Sequence, residues 1–175
     1  MSYHTCTDYG YGFCTDNLTN YSFESIRKLC ELNKETLSEY EDNLHLYLSD
    51  NTAMEYDDDM DINALVQYAN EFDSIDVNSF LDERHDDTYE GYGIGYYLKD
   101  IIKRNEDIEL YACDDFDGNH YLLFTPSYPW SKMSEKERNI TKEEFNDILR
   151  KYVNIVTNNH SDNIAFDYET VENGG

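Results

Sequence analysis

Three short stretches carry carboxylates densely enough to do chemistry. Glu55, Asp57, Asp58, Asp59 and Asp61 crowd into seven residues with no positive charge among them. Asp82, Glu83, Asp86, Asp87 and Glu90 form a second group, and Glu39, Glu41 and Asp42 a third. Grouped carboxylates have two main uses. They bind hard cations through oxygen ligands, and in two-metal sites this hydrolyses phosphodiesters. Alternatively they meet a cationic protein surface and pair with its Lys and Arg. A nuclease site normally has substrate-positioning Lys or Arg nearby. Residues 1–100 hold 23 Asp and Glu against 5 Lys and Arg, so the second use is favoured.

Other motifs fit their chemistry less well. The run Asp114, Asp115, Asp117, Gly118, Asn119 has the composition of a calcium loop. With Gly118 at the sixth position, Cys113 becomes the first ligand and Phe124 the twelfth, and neither can serve. His4, Cys6, Cys14 and His120 are zinc-ligand types, but their spacing matches no compact zinc motif. "GYGIGYY" departs from the dinucleotide-binding glycine pattern and follows no clear strand. Cys30 and Cys113 read as buried structural thiols. No catalytic residue, cofactor or specific metal site is expected from these patterns.

Charge bounds the partners. The 175 residues carry a formal net charge of −25 and 17 tyrosines. A surface so acidic disfavours binding to nucleic-acid backbone or to anionic membrane, both of which need Lys and Arg. Solubility in salt and a strongly basic partner both remain as explanations. No apolar run approaches a membrane span, and no signal peptide is visible, so a cytoplasmic protein with reduced thiols is expected. Tyrosines 40, 47, 56, 68, 89, 92, 96 and 97 interleave with the acids. They read either as the wet margin of the core or as aromatic faces between negative charges, in imitation of a nucleic-acid strand.

The elements that must position these groups follow from pattern. "YHTCTDYGYGFC" predicts one or two strands, with Gly10 and Gly12 marking a bend or bulge. Ser22 or Asn20 caps a short helix, and Asn33 caps a second whose stripe is Leu37, Tyr40, Leu44, Tyr47 and Leu48. Asp59 or Asp61 caps a third, with Ile62, Leu65, Val66, Ala69 and Phe72 on one face. Residues 73–90 read as loop with a short helical turn at "VNSFLDERH". A helix then carries Ile94, Tyr97, Leu98 and Ile101. Asp117-Gly118 suits a two-residue type I′ turn, which predicts a hairpin at about 108–125. "SYPW" leads into a loop, and Thr141 with Glu144 makes a capping box for a further helix. "NIAFDYETV" alternates as a closing strand. The expectation is one α+β domain over 1–175: a small, mainly antiparallel sheet of N-terminal strand(s), hairpin and C-terminal strand, packed with several helices. An acidic helical part covers about 34–90.

"YGYGFCTDN", "CDDFDGNHYLLFTPSYPW", "ITKEEF" and "FDYETVENGG" together resemble small acidic proteins of phages and mobile elements, a group that includes anti-CRISPR inhibitors of type II effector nucleases. The resemblance covers roughly 3–17 and 111–175 and carries no catalytic residue. It implies a role in host–phage conflict within the bacterial cytoplasm. Read with the charge, it implies a non-enzymatic inhibitor whose acidic surface blocks a basic nucleic-acid-binding groove, most plausibly that of a CRISPR effector nuclease with its guide RNA. The partner-binding residues expected are Glu55, Asp57, Asp58, Asp59, Asp61, Asp82, Glu83, Asp86, Asp87 and Glu90. The alternatives are a small metal-dependent nuclease acting on guide RNA or DNA, and an acidic adaptor or immunity protein for another basic partner.

Overall fold

Gly10 and Gly12 decide how the sheet is assembled. The computed structural model describes residues 5–53, 60–85, 90–125 and 133–174. Strand β1 (Thr5–Cys14) is central. It pairs with β3 (His120–Phe124) on one side and β4 (Asp167–Gly174) on the other, and β2 (Tyr111–Asp114) pairs with β3. All three pairings are antiparallel. The bend or bulge expected at the glycines is absent. The β1–β4 register runs without a slip from Thr5 opposite Gly174 to Gly12 opposite Asp167. The glycines instead allow close approach of β3. A Cβ on Gly12 would sit 1.9 Å from the Leu122 carbonyl oxygen, and one on Gly10 would sit 2.8 Å from that of Phe124.

With no side chains to hold it open there, the sheet curls. The Phe116 N–H, in the β2–β3 connection, donates to the Glu172 carbonyl of β4 at 3.2 Å. Cys113, Leu123 and Val171 are buried together within the curl, with Tyr121 against them. The other face sends Tyr11, Phe13, Ala112 and Leu122 into the main core.

The helices are α1 (Phe23–Cys30), α2 (Lys34–Asn51), α3 (Ile62–Asn70), α4 (Val77–Arg84), α5 (Ile94–Glu106), α6 (Glu135–Asn139) and α7 (Lys142–Val156). Their starts are set locally. Ser22 and Ser25 cap α1 reciprocally, as Thr141 and Glu144 cap α7. Asn33 caps α2, and Asp61 rather than Asp59 caps α3. Such caps are worth about 1 kcal/mol each. Burial dominates, since each fully buried large apolar side chain contributes roughly 1.5–3 kcal/mol. Tyr40 meets Phe80 and Tyr97 at the centre, and all three are fully buried. The Tyr40 and Tyr97 rings stand nearly perpendicular with centroids 5.5 Å apart, and the Tyr40 hydroxyl donates to the Phe23 carbonyl at 2.9 Å.

Four expectations need correcting. The short helical turn expected at "VNSFLDERH" is present but runs to two turns as α4, capped by Asp76. Helix α6 was not foreseen, since five residues are too few for a periodic stripe. The hairpin is present, but its connection spans residues 115–119 rather than two residues. Gly118 takes positive φ and Asp117 does not, because Asp115 accepts the amides of Asp117 and Asn119 and shapes a longer loop. Finally, β4 starts at Asp167, after Ile164 and Phe166. Arg150 keeps that approach off the sheet by donating to the carbonyls of Ser161 and Ile164, the latter at 2.9 Å.

Candidate acidic interface

The carboxylates expected to bind a partner fall into separate places. Glu55, Asp57, Asp58, Asp59, Asp86 and Asp87 lie outside the described residues. Asp61 accepts the Ala64 N–H at 3.0 Å as the α3 cap. It faces the third acidic group: the Glu41 carboxyl is pushed up first by its own burial, then by the charges of Asp42 and Asp61. Asp82 and Glu83 lie on α4, against the end of α2. Glu83 accepts from Asn51 at 3.2 Å, and Arg84 is paired with Asp50 at 2.6 Å. Glu90 extends 70% exposed, 3.9 Å from Lys99. Glu39 accepts the Tyr96 hydroxyl and is part of the α2–α5 contact.

Among the described residues, the interleaved tyrosines form no aromatic path over the surface. Tyr40, Tyr47 and Tyr97 are core residues, while Tyr68, Tyr92 and Tyr96 are half-buried. Tyr56 and Tyr89 lie outside the described residues. Tyr9, Phe116 and Tyr168 are among the exposed large rings, and all three lie on or beside the sheet.

One constellation was not legible in advance. Strand β1 ends at Cys14, and a short 3-10 turn (Thr15–Asn17) swings Asp16 toward β3. The Asp16 carboxylate accepts the His120 backbone N–H at 2.6 Å and lies 3.2 Å from its ring Nδ1. A carboxylate only accepts, so Nδ1 carries the hydrogen. The His120 ring stacks on Tyr92, with centroids 3.7 Å apart and planes 6° from parallel. The Tyr92 hydroxyl donates to Asp82 at 2.9 Å, and that of Tyr21 donates to Asn78 at 2.6 Å. These groups line a cleft of about 320 Å³ between the end of the sheet and α4, and among the described residues no Lys or Arg lines it. Burial pushes the Tyr21 phenol up, and the charges of Asp82, Asp16 and Asp76 push it further.

The Thr15 hydroxyl donates to the His120 carbonyl at 3.2 Å, not to the ring. The Cys14 thiol is pushed up, chiefly by burial, which keeps it protonated and unreactive. Cys113 is likewise pushed up to about 12 by burial and by Asp8, as befits a structural thiol. Among the described residues, no group of three or more His, Cys, Asp or Glu side chains is arranged to hold a metal ion. The calcium-like loop at 113–119 spends its central carboxylate, Asp115, on its own amides.

No family model, curated protein or solved structure matches this chain. Among the described residues, no helix is long and apolar enough to cross a membrane.

Proposed function

We propose that this protein is a non-enzymatic inhibitor that presents carboxylates to a basic, nucleic-acid-binding groove of a partner protein. The observation that carries this reading is the cleft beside α4. Asp16 and Asp82 line it, and among the described residues no Lys or Arg does. Elsewhere the cations are largely committed: Arg27, Arg84, Lys103, Arg104, Lys136 and Lys151 each pair with a carboxylate. The 38 carboxylates exceed the 13 Lys and Arg by 25, so that excess has no Lys or Arg of this chain to pair with. Such a field steers a cationic surface into rapid association, and the effect falls steeply with ionic strength.

The partner class drawn from the resemblance is a type II CRISPR effector nuclease with its guide RNA, within a bacterial cytoplasm. The carboxylates at 55–61 and 82–90 would compete with phosphates for its groove. The test is target cleavage by guide-loaded effector with increasing amounts of this protein. The expected result is inhibition that weakens when Asp82 and Glu83 are neutralised, and again when Asp57, Asp58, Asp59 and Asp61 are. Full inhibition by the protein neutralised at both places would overturn the reading.

A further inference from the structure

On the core side of β1 and β4, five aromatic rings form a continuous wall. Tyr9 and Tyr168 are parallel to within 4°, with centroids 5.8 Å apart. Tyr168 meets the edge of Tyr11 at 5.2 Å, Tyr11 packs on Phe145, and Phe145 packs on Phe124. The wall is firmly built. The Tyr11 hydroxyl donates to the Asn146 side chain at 2.9 Å, with the Phe166 carbonyl as its alternative acceptor at 3.0 Å. Yet its outer rings are open, Tyr9 being 47% and Tyr168 55% exposed.

The wall already holds a cation. The Lys142 ammonium lies 5.1 Å from the Tyr11 ring centre and 5.4 Å from that of Tyr168. Among the described residues it makes no ion pair, in a chain with 38 carboxylates to choose from. Its ammonium lies against the negative ring faces. Arg150 repeats the arrangement nearby, with its guanidinium carbon 4.2 Å from the centre of Phe166. Asp167 and Glu143 add negative charge near Tyr11, opposed in part by Arg150.

Beside Lys142 a cavity of about 230 Å³ remains, lined by Tyr11, Phe124, Ile140, Phe145 and Tyr168. That is below the roughly 300–1,000 Å³ of small-molecule sites and suits a single side chain. We infer that this groove receives an arginine side chain from a basic segment of the partner protein, with Lys142 holding the place until it arrives. Arginine is specified because its planar, weakly hydrated guanidinium stacks on flat aromatic faces such as those of Tyr11 and Tyr168 in the groove and of Tyr9 beside it, which an ammonium does less well. The inference rests on the basic-partner reading above and adds a second, aromatic contact on a different part of the molecule.

The test is titration with a fluorescent peptide of alternating Arg and Gly, with a Lys-Gly peptide for comparison. The Arg peptide should bind more tightly than the Lys peptide. Replacing both outer rings (Tyr9→Ala with Tyr168→Ala) should weaken Arg-peptide binding about fivefold, while Tyr168→Phe should not. Lys142→Met should tighten it about twofold. In the wild-type protein, the Lys142 ε-methylene protons should begin upfield, under the rings, and move downfield as peptide is added; this readout needs no variant. If the peptide binds but the ring variants and the Lys142 resonance do not respond, the groove is overturned and the acidic-surface reading survives. If neither peptide binds at low salt, the acidic-surface reading falls and takes the groove with it.

Discussion

Two acid-rich regions look alike in the sequence and behave oppositely in the fold. In the β2–β3 connection, Asp115 accepts the amides of Asp117 and Asn119, the Asn119 side chain and the Tyr121 hydroxyl. These donors hold its carboxyl below the ordinary range, the Asn119 side chain contributing most. Its charge is consumed in making a loop. In the cleft beside α4, Asp82 receives the Tyr92 hydroxyl, and the Tyr21 phenol is pushed up first by burial and then by the charges of Asp82, Asp16 and Asp76. Acid density alone does not separate the two cases: Asp76 is spent on the Asn78 and Ser79 amides much as Asp115 is on its own loop, whereas Asp82 is met by a phenol from α5's approach.

The comparison can be broken most severely at its glycines. Gly93 begins α5 at φ 53° and ψ −125°, a conformation essentially closed to other residues, and its N–H donates to the His85 carbonyl at 2.7 Å. Gly93→Ala should cost about 2–3 kcal/mol through backbone strain, seen in chemical denaturation. Gly118 sits at φ 80° with open space around its α-carbon, so Gly118→Ala should cost only about 1 kcal/mol. Equal costs would mean that the cleft is no more tightly specified than the hairpin loop.

Asp16→Ala comes next. It leaves the His120 amide and ring nitrogen without their acceptor, at a cost of about 1–2 kcal/mol, moderated because the Asp16 side chain is 42% exposed. Amide exchange of His120 should accelerate with it. Unchanged exchange would show that the turn after β1 is held by something else.

The smallest effects lie at opposite ends of the pH scale. Asp115 has a folded value below its unfolded one. Its stabilisation is complete above the ordinary carboxylate range and is lost as pH falls through the folded value. Tyr21 is raised above its ordinary 10.0, so its stabilisation is complete below pH 10 and is lost as pH rises through the raised value. Asp115→Asn should therefore flatten the acid limb of a melting-temperature profile, and Tyr21→Phe should slightly flatten the alkaline limb. Exchanged effects would contradict the contrast between the two regions.

What was legible beforehand was local. Ser22, Asn33, Asp61 and Thr141 mark helix starts because a cap needs only its next three residues. The stripes of α2, α5 and α7 were clear for the same reason. The hairpin strands were readable, but the turn was not, since Asp115 closes the loop and Asp117 does not take positive φ. The Asp16–His120 contact joins residues 104 apart, and no local pattern announces it. The tyrosines misled because a ring that ends in a hydroxyl suits both core and surface. Tyr40 and Tyr97 are fully buried, and their hydroxyls find partners in the Phe23 carbonyl and His85.

The most direct measurement is the dissociation constant for guide-loaded effector across a salt series, for wild type and for a variant with Asp16, Asp82 and Glu83 neutralised. Wild-type affinity should fall steeply with salt, and the variant should bind more weakly at low salt with a visibly shallower slope. Superimposable curves for the two proteins would contradict the claim that carboxylates left uncompensated by the fold do the binding.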